Sequence, residues 1–292
     1  KNKIDKLASG EKEWILTSGW NKSVMNADDY RAYVGGTSGL IYGYVNDGFY
    51  KVEDFEYFDS KSRTWKLKEG VVDSSPLSDT PRPGNAKFKK LTPVDPNSSN
   101  PYQLTEADRT VIGNTTPKFS GGFGLNATYK GFDLSMFFNF MYDFDVFNAN
   151  KVMLTTWADN HENNFGMEVA SDKRWRNFDD MGNEIRYSPE LLAEFNKNAT
   201  MWNPTSIGKP ISMSYAVEDG SFLRLNSATL GYTLPQEWTK KAGLNKVRFY
   251  VAGSNLFTIT GYSGYDPEVD IATGLTPNID NNRYPRSRTY TF

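Results

Sequence analysis

The stretch from Ser120 to Tyr142 constrains what this chain can fold into more than any other. Phe123, Leu125, Ala127 and Tyr129 share one parity, and Gly122, Gly124, Asn126 and Thr128 share the other. After Lys130 and Gly131, the residues Phe132, Leu134, Met136, Phe138, Phe140 and Tyr142 share a parity, with Asp133, Ser135 and Asn139 among those opposite. Alternation with a period of two predicts two strands. Only two residues join them, and Gly131 supplies the positive φ that a tight hairpin turn demands. The charges, Lys130 and Asp133, sit at the turn. Each arm is about ten or eleven residues long, the length of a tilted strand crossing a bilayer (roughly 9–11). A soluble hairpin needs neither that length nor such aromatic loading on one face.

The same pattern returns later in the chain. Ala228, Leu230, Tyr232 and Leu234 alternate with Thr229, Gly231 and Thr233, which predicts a strand over 221–234. Leu223 and Leu225 are out of phase with that set. Either a bulge near Asn226 repairs the phase, or the upper part rises above the apolar band. Val247, Phe249, Val251 and Gly253 alternate with Arg248, Tyr250, Ala252 and Ser254 in a further strand, and Arg286–Phe292 begins a last one too short to cross a bilayer. Between these lie short connections at Lys130-Gly131 and Pro235–Gly243, and long ones at 143–220 and 258–285. Up-and-down membrane barrels have this asymmetry, with short periplasmic turns and long outer loops. It predicts a periplasmic C-terminus and extracellular loops.

The remaining segments fit that scheme. Leu40, Tyr42 and Tyr44, followed by Asn46-Asp47-Gly48, predict a short hairpin. Six prolines between Pro76 and Pro101 exclude long regular elements from Ser60–Pro117. Val146–Trp157 is expected to hold a short helix. So is Pro189–Asn198, where proline opens the first turn and Leu191, Leu192 and Phe195 follow at helical spacing. The expected division is 1–119 as the end of a barrel strand plus an outer loop region, 120–142 as a transmembrane hairpin and 143–220 as an outer loop with short helices. A second transmembrane hairpin follows at 221–257, then an outer loop at 258–285 and the start of a final, truncated strand at 286–292.

Composition removes some alternatives. The net charge of −2 gives no drive toward nucleic acid. The absence of cysteine removes disulfides, thiolate metal sites and thiol nucleophiles together. No run of 18 apolar residues provides a transmembrane helix. Aromatic residues at 15% with an apolar total of 38% suit a thin aromatic-rich band, and suit a soluble β-rich sugar binder equally.

Several blocks, in order, resemble one family: GLIYGYVNDGFY, DRTVIGNTTPKFSGGFGLNATYKGFDLSMFFNF, DGSFLRLNSATLGYTLP, VRFYVAGSNLFTITGYSGYDPEV and YPRSRTYTF. They are similar to the C-terminal part of the SusC/RagA family of TonB-dependent outer-membrane transporters of Bacteroidetes. The resemblance implies an all-β transmembrane antiparallel barrel of 22 strands with an N-terminal plug and a TonB box. It also implies a SusD-like lipoprotein lid that delivers oligosaccharides or, in some members, peptides. On this reading the chain is roughly the last third of a longer importer that works with TonB.

Candidate site residues follow from this picture. Phe123, Leu125, Leu134, Met136, Phe138, Phe140, Leu230, Tyr232, Phe249 and Val251 are expected to face lipid. Arg224 and Arg248, costly at about 2–4 kcal/mol on a lipid face, are expected to face the lumen. Trp157, Trp175, Trp202, Tyr262 and Tyr265 lie in the expected outer loops, where sugar rings stack on aromatic faces; the same residues also pack loop against loop. His161, the only histidine, sits in a polar loop without a nucleophile context, so no catalytic role is assigned. Asp266, Glu268 and Asp270 alternate as calcium ligands do but lack the EF-hand pattern, so a turn-forming role leads and no metal or cofactor is assigned. Gly121, Gly122 and Gly124 precede no helix and form no phosphate loop. A soluble secreted glycan-binding protein or glycoside hydrolase is the reading from a different class. The second of these requires a carboxylate pair in a cleft, and no such pair stands out.

Overall fold

The computed structural model describes residues 3–8, 14–17, 20, 28–78, 80–156, 165–170, 173–207, 210–269 and 274–292. It has two parts: an open sheet of long strands and a lobe built from the intervening segments.

The sheet contains β1 (Phe119–Tyr129), β2 (Phe132–Tyr142), β3 (Phe222–Thr233), β4 (Arg248–Thr260) and β5 (Thr289–Thr291). The strands lie in the order β5-β4-β3-β2-β1 and every pair is antiparallel. At the first turn both Lys130 (φ 46°) and Gly131 (φ 90°) are left-handed. A two-residue hairpin turn matching the sheet's twist needs this at both positions. Lys130 therefore accepts a conformation that costs a side-chain-bearing residue about 1–2 kcal/mol.

Register sorts the side chains onto two faces. Phe123 opposes Phe138, Leu125 opposes Met136, and Leu134 opposes Ala127 on one side and Leu230 on the other. Leu230 in turn opposes Val251, and Tyr232 opposes Phe249. The rings of Phe123 and Phe138 stack with centroids 4.9 Å apart, and Phe132 meets Tyr232 at 4.5 Å. The opposite face carries Asn126, Thr128, Asp133, Ser135, Asn139, Thr229 and Ser227, with Phe137 and, at the lobe end, Met141 and Phe222 as its large apolar residues.

Of the two ways to bring Leu223 and Leu225 into phase, the chain uses the bulge. Ser227 pairs with Phe137 and Leu225 with Phe138, so Asn226 has no partner across the ladder. Beyond it Leu223 opposes Phe140, on the apolar face. On the other side Asn255 (φ 52°) and Leu256 stand out of register opposite the same point.

The apolar face is uncovered along β1, and Phe123, Leu125, Leu230, Phe249 and Val251 are all exposed. Leu134, Met136, Phe138, Phe140 and Tyr232 are half-buried among their cross-strand neighbours. The lobe, by contrast, has a dry core. Tyr30, Ile41, Phe88, Phe147, Val152, Trp202, Ile207 and Met213 pack together from segments far apart in the chain. A smaller cluster of Phe144, Val146, Phe222, Tyr262 and Val269 joins the lobe to the top of the sheet.

Some local expectations are corrected. Leu40–Gly43 and Asn46–Phe49 do not form a hairpin: the first pairs with Tyr30–Tyr33 and Thr110–Asn114, the second with Ala86–Phe88. Tyr44 between them bridges to Met213, and the Asn46 side chain accepts from the Gly48 N–H, so the turn signal is spent on a local Asx turn. Non-local pairing outweighs the local propensity. Asp145–Asn148 is a strand between Val217–Asp219 and Ile279–Asp280, and the helix starts only at Ala149, capped by Asn148. The Pro189–Phe195 helix is capped by Ser188. Near the start of the chain, residues 3–8 form no strand, and Trp14–Thr17 pairs antiparallel with Tyr30–Tyr33.

Asp108 ties down the proline-rich stretch. Its buried carboxylate accepts from the backbone N–H groups of Leu91, Thr92 and Thr105 and from the hydroxyls of Thr92 and Thr105, at 2.7–3.0 Å. Burial pushes its pKa up, but the bonds from Thr92, Thr105 and Leu91 outweigh burial and hold it well below the ordinary carboxylate range. A depressed folded pKa contributes stability that is complete above the unfolded value of about 4 and is lost as pH falls below it. Asp108→Asn is expected to destabilise the lobe by about 2 kcal/mol near neutral pH, with the difference from wild type shrinking below about pH 4. Denaturant titration at several pH values measures this.

Candidate functional site

Both strand arginines lie on the polar face. Arg248 donates from Nε to Asp133 Oδ1 at 3.0 Å and from Nη2 to Oδ2 at 2.5 Å, a two-pronged pair near the short-turn end. It reaches Asp133 by crossing Gly231, where a Cβ would collide with the guanidinium. Arg224 is fully buried where the lobe meets the sheet. It pairs with Asp266 at 2.5 Å and Glu268 at 3.7 Å, and Glu268 also meets Arg286 at 2.7 Å. The carboxylates considered for calcium are thus spent: two of them face two guanidinium groups, and Asp266 Oδ1 also closes a turn with the Glu268 N–H. Asp270 lies outside the described residues, and among the described residues no group of three or more metal-ligating His, Cys, Asp or Glu side chains gathers.

The Gly261–Tyr284 loop presents two aromatic rings to solvent, Tyr265 and, at its far end, Tyr284. Tyr262 is buried, and its hydroxyl donates to Asp280 at 2.7 Å. Burial first and then that carboxylate push its pKa up. Ser263 donates through its N–H and hydroxyl to Glu218. Glu218 also pairs with Lys151 at 3.2 Å, and the Lys151 ammonium sits 4.3 Å above the Tyr215 ring. Burial raises the Glu218 pKa, but the bonds from Ser263 and the charge of Lys151 bring it below the usual range. Held on both sides, Tyr265 stands 81% exposed at the rim of a cavity of about 530 Å³ that Asn148, Asn150, Lys151 and Met167 also line.

The aromatic candidates separate by burial. Trp175 meets Phe49 edge-on and lines a second cavity of about 510 Å³. Trp202 meets Tyr215 edge-on, donates from Nε1 to the Thr155 carbonyl and lines a third cavity of about 530 Å³. Trp175, Trp202 and Tyr262 are each under 10% exposed, with their rings packed against neighbouring side chains. Tyr265 keeps a free face. Trp157 and His161 lie outside the described residues. The sequence reading missed the arginines around Trp175 and the Lys151–Glu218 pair. The first are scattered over Arg174–Arg186, and the second joins residues 67 positions apart only through the fold.

No protein-family model matches the chain. A TonB-dependent receptor of Formosa agariphila, P3, is 31% identical along the whole chain, which spans about 25% of that protein. A second Formosa agariphila receptor, P26, is 27% identical over 78% of the chain and 21% of its own length. SusC of Bacteroides thetaiotaomicron is 37% identical over 26% of the chain and 7% of its own length. The fold is similar to the solved RagAB peptide transporter, with a TM-score of 0.64 at 20% identity, over 99% of this chain and 25% of that one. None of these proteins is named as an enzyme. The long-strand sheet is a piece of an outer-membrane-type barrel wall, and the chain spans a quarter or less of the relatives it matches. Matched along its length by such receptors and built like their wall and loops, the chain is a stretch of a SusC/RagA-type TonB-dependent receptor.

Proposed function

We propose that this stretch is the wall and outer loop lobe of a TonB-dependent importer that takes up oligosaccharides through the outer membrane. A SusD-like surface lipoprotein serves as its lid. The observation that carries the reading is the apolar face of the sheet, continuous in register from Phe123 to Val251 and left bare by the lobe. In this reading that face meets hydrocarbon, while Arg224, Arg248 and the polar face line the lumen. Residues 120–142 and 221–257 cross the membrane, and 143–220 and 258–285 stay outside. The machinery binds and passes substrate without breaking a bond. The lid admits the ligand to the cavities beside Tyr265 and Trp175, and TonB, acting on a plug elsewhere in the full receptor, opens the path.

Saccharide is preferred because an exposed ring on a pinned loop, beside amide and hydroxyl groups, suits stacked sugar rings. The full-length receptor is expected to require detergent for extraction and to migrate differently on gels before and after boiling. Cells lacking it are expected to lose TonB-dependent uptake of a labelled oligosaccharide mixture. Extraction in buffer without detergent would sink the membrane reading, and loss of peptide uptake alone would replace the substrate class.

A further inference from the structure

Three arginines line the cavity beside Trp175, and they are not fully matched by acid. Arg174, Arg176 and Arg186 share its wall with Asp179 and Asp180. Asp179 is committed to its own turn: it accepts from the Met181 and Asn183 N–H groups and from the Asn183 side chain, bonds that hold its pKa below the usual range. Asp180 pairs with Arg176 at 2.7 Å but is 76% exposed on the rim, in a pair four residues apart that water screens. Glu184 pairs with Arg186 at 2.6 Å and is also well exposed. Arg174 has no carboxylate partner among the described residues. Among the described residues the wall thus offers one guanidinium without a carboxylate and two whose partners can swing into solvent.

The backbone beneath these side chains is pinned. Buried Asn196 accepts from the Arg176 N–H and donates to the Arg176 carbonyl, and the Trp175 N–H donates to Met201. The Arg186 guanidinium lies 5.9 Å from the Phe178 ring and 5.9 Å from the Tyr187 ring, which restricts its plane. Trp175, part of the same wall, carries a buried indole N–H with no acceptor. Fixed, forked donors beside aromatic edges are suited to a planar or tetrahedral anion on a ring-bearing ligand.

We propose that this cavity is a subsite for the anionic groups of an acidic oligosaccharide, carboxylate or sulfate, held on Arg174, Arg176 and Arg186. The assignment rests on the import reading and narrows its substrate class. An arriving anion displaces Asp180 and Glu184 into water and takes their places on the guanidinium forks. No bond in the ligand changes.

The test measures binding to the full-length receptor in detergent, with four probes: hexagalacturonate, a sulfated carrageenan hexasaccharide, neutral maltohexaose and hexaglutamate. At least one acidic saccharide is expected to bind about tenfold or more tightly than maltohexaose, with an advantage that shrinks as salt is raised. The double variant Arg174→Gln/Arg186→Gln is expected to lose that advantage and leave maltohexaose unchanged, while Arg186→Lys keeps part of it. Variants are compared only where they keep the wild-type gel shift on boiling. If the double variant fails that control, Arg174→Gln alone carries the test, because it breaks no ion pair among the described residues. Maltohexaose binding as tightly as both acidic saccharides overturns the proposal. So does an unchanged acidic-saccharide affinity in the variants, and so does hexaglutamate binding more tightly than either saccharide. TonB-dependent oligosaccharide uptake without charge preference would overturn this inference alone and leave the import reading standing.

Discussion

Replacing Arg224 by methionine is expected to destabilise the junction of lobe and sheet by about 3–5 kcal/mol, the cost of leaving buried acids without their cation. Asp266 and Glu268 are each only 10–12% exposed at their side chains, and Arg224 sits within 4 Å of both. Arg286, 43% exposed, reaches Glu268 and among the described residues makes no ion pair with Asp266. The Gly261–Tyr284 loop should therefore open first, and limited proteolysis of the purified receptor should cut within it while the wild type resists. The sharper measurement is a double-mutant cycle. Adding Asp266→Asn to Arg224→Met removes the stranded charge, so the pair of substitutions is expected to cost clearly less than their sum. Additive costs would mean that the ion pair contributes nothing to holding the loop, and that the burial of Arg224 has another cause.

The second large effect separates the two faces of the sheet. Leu230→Arg places a charge on the apolar face three residues inside the Thr233 end of β3 and is expected to cost about 1–3 kcal/mol when the receptor is folded into lipid vesicles and unfolded with guanidinium. Thr229→Arg, one residue away and on the opposite face, is expected to cost under about 1 kcal/mol, because that face is polar and wet. The comparison holds chain position, depth and added volume nearly constant, leaving the medium on each side as the difference. Equal costs at the two positions would contradict a bilayer on one side and a lumen on the other. In a soluble setting neither substitution should cost more than an ordinary surface change, since both sites are outside the lobe's core.

The sheet was more legible than the lobe for a physical reason. In a wall one residue thick, each side chain faces one of two media, so parity alone assigns Phe123, Leu134 and Phe249 to one face. The bulge at Asn226 was readable as a break in that parity, although only pairing with Phe137 and Phe138 selected it over the alternative. In the lobe the same reasoning misled. Asn46-Asp47-Gly48 carries a hairpin's local signal, yet the flanking strands pair with partners tens of residues away. Lys130 gave no sign that it would share the left-handed turn with Gly131.

The candidate sites divide in the same way. Aromatic residues in loops could be nominated from the sequence, but exposure decides which of them has a free ring face. It leaves Tyr265 open and encloses Trp175, Trp202 and Tyr262. Alternation over eleven residues is a local code that needs no partner to be read, so the long strands, the two faces of their side chains and the family resemblance were all open to a reader of the residues alone. The pairing of Arg224 with Asp266, the hold of Glu218 on Ser263 and the sharing of one cavity by three arginines emerge only in the folded chain. Those contacts join residues that are close only after long loops have closed, and no local pattern encodes loop closure.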